Sequence, residues 1–144
     1  MTPCYARGFK DLRVYQKARE VSQAVFRLSK AFPKEEMYSL TDQLRRASRS
    51  VGAQVAEAWG KRRYEKRFVS KLTDADAEQM ETQHWVAEAL DCGYLAAAEA
   101  VRLNTWLEEI GRMLHSMMEK ADSFCGSPDG ILREDAIEYL AGSN

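Results

Sequence analysis

The stretch AVRLNTWLEEIGRMLHSMMEKADSF, residues 100–124, decides the fold. Its members Ala100, Leu103, Leu107, Ile110, Leu114, Met117, Ala121 and Phe124 recur at alternating steps of three and four. An α-helix turns once every 3.6 residues, so this spacing lays them along one stripe, whereas a strand requires alternation by two. Charged residues fill the opposite side, which makes the helix amphipathic and in need of partners. Cys125-Gly126-Ser127-Pro128-Asp129-Gly130 ends it with a run of helix breakers.

Working backward, the same period appears three more times. Phe68, Leu72, Ala75, Gln79, Thr82, Val86 and Ala89 form a stripe in a helix from about Tyr64 to Cys92, stopped by Gly93; Gln79 and Thr82 interrupt its apolarity. Leu40, Leu44, Ala47, Val51, Val55 and Ala58 form another, crowded by Ser48, Ser50, Gly52, Ala53 and Ala56, so that a neighbouring helix can approach closely. Gly60 is the expected residue just past its end. Val14, Ala18, Val21, Val25, Leu28 and Phe32 predict a first helix from about Asp11 to Ala31, with Asp11 as N-cap behind Phe9. Phe32-Pro33 ends it, because a residue before proline is pushed out of the α region.

Four amphipathic helices with short connections predict an all-α, antiparallel up-and-down four-helix bundle over residues 9–125. Residues 1–8 read as an N-terminal tail. Residues 126–144 read as a tail or a short helix in which Leu132, Ala136 and Leu140 share a face.

The 144 residues are 45% hydrophobic and 30% charged, ordinary for one globular domain with a real core. No run approaches the ~18 apolar residues of a membrane span, and no membrane partner is expected. Met1–Gly8 has no apolar signal region, and Cys4, Cys92 and Cys125 share no C-x-x-C spacing, so a reducing cytoplasm is expected, with idle rather than reactive thiols. The net charge of −1 hides a strong polarity. Residues 1–71 hold 17 Lys/Arg against 7 Asp/Glu, while residues 72–144 hold 4 against 15. Opposite sides or ends of the molecule should therefore differ in sign.

The segment Gln43-Leu44-Arg45-Arg46-Ala47, continuing through Ser50-Val51 and Ala56-Glu57 to Lys61, resembles the signature Q-L-R-R-A-x-x-S-V-x-x-N-I-A-E-G-x-x-R of the bacterial 23S rRNA intervening-sequence protein family. Phe9-Lys10-Asp11-Leu12-Arg13-Val14-Tyr15 is similar to its F-x-D-L-x-V-W opening, and Phe32-Pro33-Lys34-Glu35-Glu36-Met37-Tyr38-Ser39-Leu40 to its F-P-x-x-E-x-Y-x-L linker. Gln54 stands where Asn is usual, Ala58 where Gly is usual, and Ala77-Glu78 where a small G-S pair is usual. The resemblance implies a bundle that assembles into a ring, commonly a homopentamer, with nucleic-acid binding the usual suggestion.

The residues themselves offer one chemical candidate. Arg45, Arg46 and Arg49, then Lys61, Arg62, Arg63, Lys66 and Arg67, concentrate positive charge on the second helix and the connection to the third. A helix N-terminus offers free N–H groups to phosphate, and Tyr64 or Trp59 offers a stacking face. The expected function is therefore non-enzymatic: a homo-oligomer binding RNA or DNA through this basic surface. The alternative is a scaffold or protein-interaction module, with these cations paired inside the chain or across subunits, as in Asp42/Arg46 and Glu57/Lys61. Trp59, Trp85 and Trp106, with Phe26, Met113 and Met118, fall beside the stripes and read as subunit-interface residues. Glu81 and His84 have E-x-x-H spacing, but a di-iron site needs a second copy, and none is present. No cofactor, metal or catalytic residue is expected, since nucleophile elbow, P-loop and G-x-G-x-x-G are all missing.

Overall fold

The computed structural model describes residues 5–125 and 132–133. Its frame is four helices: α1 (Arg13–Ser29), α2 (Leu40–Gly60), α3 (Glu65–Asp91) and α4 (Ala97–Glu119). They form an up-and-down bundle in which each packs on its neighbours in sequence, and α4 closes the ring against α1; α2 and α3 share the broadest seam. Every residue of the α2, α3 and α4 stripes is buried, Gln79 and Thr82 included. In α1 only Leu28 is half-exposed.

The helix ends differ from expectation in instructive ways. Asp11 is not the N-cap of α1. It closes a 3-10 turn, Phe9–Asp11, where its carboxylate accepts the N–H groups of Arg7 and Gly8 at 2.9 and 3.2 Å, and Leu12 enters α1 without a side-chain cap. Gly60 is the last residue of α2 rather than a left-handed stop. Gly93 is such a stop, with φ of +78°. It lets Tyr94 N–H reach Ala89 C=O and Gly93 N–H reach Leu90 C=O, satisfying the last carbonyls of α3. The fourth stripe breaks at Lys120, and a one-turn helix α5 (Ala121–Phe124) carries its last two members inward, where Phe124 stacks on Phe68. Outside the helices, β1 (Tyr5–Ala6) pairs antiparallel with β2 (Leu132–Arg133). Leu132 and Arg133 are thus extended, not helical; the rest of the expected terminal helix lies outside the described residues.

The α3 stripe tolerates polar residues because they satisfy one another. Asp76 accepts the Gln79 side-chain amide at 2.9 Å, Gln79 accepts that of Gln83 at 2.7 Å, and Asp76 meets His115 Nε2 of α4 at 3.1 Å. Thr82 donates to the Glu78 carbonyl one turn back. Gly111 makes room for this group, since a Cβ there would stand 3.0 Å from Gln79 Nε2.

At one end of the bundle Tyr94 ties the α3/α4 turn to the α1/α2 linker. Its ring packs on Phe32, and its hydroxyl donates to Glu36 at 3.0 Å. That hydrogen bond, and then burial, push the tyrosine pKa up to about 12, against about 10 for a free phenol. A raised phenol pKa stabilises the fold below pH ~10 and loses that contribution as pH climbs from ~10 through ~12. The wild-type melting temperature should accordingly fall more steeply over that interval than that of Tyr94→Phe. Parallel curves from thermal melts would refute the contribution.

Candidate nucleic-acid interface

The eight candidate cations form two groups separated along α2. Arg45 and Arg49 share a face near the α1 C-terminus, while residues 61–67 wrap the α2/α3 connection. Between Arg49 and Gly60 lie about 16 Å of helix at 1.5 Å per residue.

Phe26 of α1 organises the first group. Its ring, 37% exposed, has Lys30 Nζ at 4.8 Å and the guanidinium carbons of Arg45 and Arg49 at 4.8 and 5.4 Å from its centroid. Such distances are within cation–π range. Arg45 is further oriented by a 2.7 Å hydrogen bond from its Nε to Ser29 Oγ, a buried hydroxyl that donates to the Phe26 carbonyl. Arg46, by contrast, points outward and pairs with Asp42 at 3.7 Å, the within-helix pair that the spacing predicts.

Tyr64 organises the second group. It is exposed at the entrance to α3, and the guanidinium groups of Arg67 and Arg63 lie 4.8 and 5.9 Å from its ring. Lys61 and Lys66 are exposed beside them. Arg62 stands apart. Its guanidinium lies 3.6 Å above the buried Trp59 ring, its Nε donates to the Trp59 carbonyl, and burial lowers its pKa. An arginine so placed stays cationic but acts as a lid on the core.

Other expectations change with the partners. Glu57 pairs with Lys71 of α3 at 2.7 Å rather than with Lys61, and this lysine draws the Glu57 carboxyl below its usual range. Trp59 packs inward under Arg62, whereas Trp85 and Trp106 are half-buried at the bundle rim. Glu81 accepts the Trp85 indole N–H at 3.2 Å and His84 lies 4.0 Å from Glu88, so the E-x-x-H pair converges on nothing shared. No group of three or more His, Cys, Asp or Glu able to hold a metal occurs among the described residues. Cys92 is exposed; burial pushes the Cys125 thiol up, away from thiolate chemistry. Cys4 lies outside the described residues. No described helix is long and apolar enough to cross a membrane.

Two cations of α1, and Lys30 just past its end, add to these groups without belonging to a charge run in the sequence. Arg19 and Arg27 line an open groove of about 590 Å³ between α1 and α2, together with Phe9, Tyr15, Phe26 and Arg49, and Lys30 stands at its Phe26 end. The spacing of Arg19 and Arg27, eight residues apart beside Phe26, was the available signal. Neither belongs to a run of like charge.

Similarity to known proteins agrees with the bundle. A crystal structure of a protein of unknown function from the S23 ribosomal protein family of Bacteroides thetaiotaomicron VPI-5482 superposes with a TM-score of 0.67 at 24% identity, over 74% of this chain and 98% of that one. At that identity the likeness speaks for the fold alone. No curated protein sequence matches the chain. The model of the 23S rRNA-intervening sequence protein family matches residues 10–116, a span that takes in all of α1, α2 and α3 and nearly all of α4. The chain belongs to the 23S rRNA-intervening sequence protein family.

Proposed function

We propose that this protein is a cytoplasmic, non-enzymatic homo-oligomer, of the ring type that its family resemblance implies, which binds RNA or DNA through its basic α1/α2 side and the α2/α3 connection. One observation carries the reading. Among the described residues, Lys30, Arg45, Arg49, Lys61, Arg63, Lys66 and Arg67 form no ion pair, although the chain as a whole is acidic. Clustered cations without carboxylate partners repel one another, and a polyanion relieves that repulsion while releasing counterions.

Arg63, Lys66 and Arg67 are the residues to neutralise, because their side chains face solvent. The triple alanine variant should keep its melting temperature and lose about tenfold or more in affinity for a fluorescent RNA at moderate salt. Arg62→Ala should do the reverse, costing about 1 kcal/mol of stability through lost packing on Trp59 and leaving affinity nearly unchanged. Equal affinity of the triple variant and the wild type, in a mobility-shift titration, removes the connection from the site.

A scaffold reading has its own support on the other side of the molecule. Asp74, Glu78 and Glu81 follow one face of α3, and burial together with Glu81 and Asp74 pushes the Glu78 carboxyl up. An acidic helix face suits the basic side of another copy, in the head-to-tail contact that closes rings. That reading predicts an oligomer that dissociates in high salt without any affinity for RNA, which light scattering and the same titration separate.

A further inference from the structure

The α1/α2 groove connects the two basic groups, and we propose that it is a track for the sugar-phosphate backbone of one single-stranded nucleic acid, running from the Phe26 cations to the α2/α3 connection. The proposal rests on the nucleic-acid reading above and adds to it a path and a strandedness.

Continuity comes from helix geometry. At 100° per residue, Arg45, Arg49, Gly52, Ala53, Ala56 and Gly60 fall within an arc of about 100° on α2. The arc opens on guanidinium groups, continues as a floor of small residues, and ends where Lys61 and Arg63 begin. Gly52 and the alanines keep the floor low, with Tyr15 of α1 as the nearest wall beside Gly52.

Charge also separates this seam from the rest of the bundle. The glutamates of α1 and α2 are held elsewhere. Glu20 pairs with Lys17, which also reaches Glu109 of α4, and Glu57 pairs with Lys71 of α3. The groove keeps Arg19, Arg27 and Arg49 with no carboxylate among its lining residues. The cations at its Phe26 end are preorganised as well. Ser29 fixes the Nε of Arg45, which leaves the outer guanidinium nitrogens for a ligand, and three positive charges converge on one ring. A bound phosphate resolves that convergence.

Strandedness follows from the walls. Phe9 and Tyr15, packed edge to face at 5.0 Å, line the groove and carry no cation on their rings among the described residues. Unpaired bases have free faces to lay against aromatic rings, while a duplex hides its bases and presents phosphate rows on a wide cylinder.

The test uses the full chain with ~12-nucleotide oligouridine and an RNA duplex of equal length. Ala53→Glu places a carboxylate in the middle of the floor at an exposed position. It should lower oligouridine affinity about tenfold or more, and Lys30→Ala/Arg49→Ala should flatten the log–log salt slope by about 1.4, the value for two lost single-strand contacts. The wild type should bind the single strand more tightly than the duplex. If Ala53→Glu and the double variant match the wild type while the Arg63/Lys66/Arg67 triple variant weakens, the track is wrong and the nucleic-acid reading stands. If the wild type binds neither RNA, both fall. Equal affinity for duplex and strand overturns the strandedness, and an Ala53→Glu variant that changes only its oligomeric state makes the groove a contact between copies instead. Thermal melts of each variant guard against misfolding, with Arg27→Ala at the exposed rim as a substitute for any that fails.

Discussion

Phe68→Ala is expected to lower the unfolding free energy by about 3–5 kcal/mol, the usual cost of emptying a buried phenylalanine site. Phe68 is fully buried at the first turn of α3. Its ring stacks on Phe124 with centroids 5.7 Å apart and planes 22° from parallel. Phe124 belongs to α5, a helix of 4 residues too short to persist without tertiary contacts. Truncating Phe68 thus opens a cavity and removes the anchor that holds α5 on the bundle. For a domain of this size the loss corresponds to a melting temperature lower by ~10–15 °C. Tyr64→Ala, one turn earlier but exposed, should shift it little. A loss below ~1.5 kcal/mol in urea titration would mean that the site collapses around the gap and that α5 is held by other contacts.

Asp76→Ala should cost about 2–3 kcal/mol, because it strands a buried donor rather than removing a pair. Asp76 is 8% exposed and accepts from Gln79 while meeting His115 across the α3/α4 seam. Without it, the Gln79 side-chain NH₂ group loses its acceptor in the tight space beside Gly111 of α4. His115→Ala should cost much less, since that side chain is 65% exposed and water replaces its bond. Gln79→Ala alone exposes the same deficit from the other side. The double variant should therefore lose less than the sum of the two singles by at least ~0.5 kcal/mol. Strict additivity would show that the two side chains act independently.

How much of this was legible in the sequence depends on whether a feature is set locally. The α4 stripe from Ala100 to Met117 and the Gly93 stop are local, and both appear as read. Gln79 and Thr82 interrupt the stripe because periodicity registers apolarity; what makes their burial acceptable is Asp76 and the Glu78 carbonyl, with Asp76 in turn held by His115 on another helix. Spacing alone matches Glu57 with the lysine four residues away, but Lys71 on the packed neighbour reaches it at 2.7 Å. The break at Lys120 and the pairing of Tyr5–Ala6 with Leu132–Arg133 are tertiary choices with no periodic signature.

The basic surface shows the same divide. A run of like charge is conspicuous in sequence, yet folding distributes the run by role. Arg62 becomes a cover for Trp59, Arg46 pairs with Asp42, Arg45 is held by Ser29, and Arg49, Lys61, Arg63, Lys66 and Arg67 face solvent without an ion pair among the described residues. Antiparallel packing adds Arg27 of α1 and Lys30 just past its end, beside Arg49 across Phe26.

The salt dependence of RNA binding tests the central claim most directly. With ~5 phosphates neutralised at the basic surface, affinity for single-stranded RNA should fall with KCl along a log–log slope of about −3 or steeper, and the Arg63/Lys66/Arg67 triple variant should show a shallower slope. A wild-type protein that binds no RNA at low salt, or binds with a slope near zero, would contradict the account.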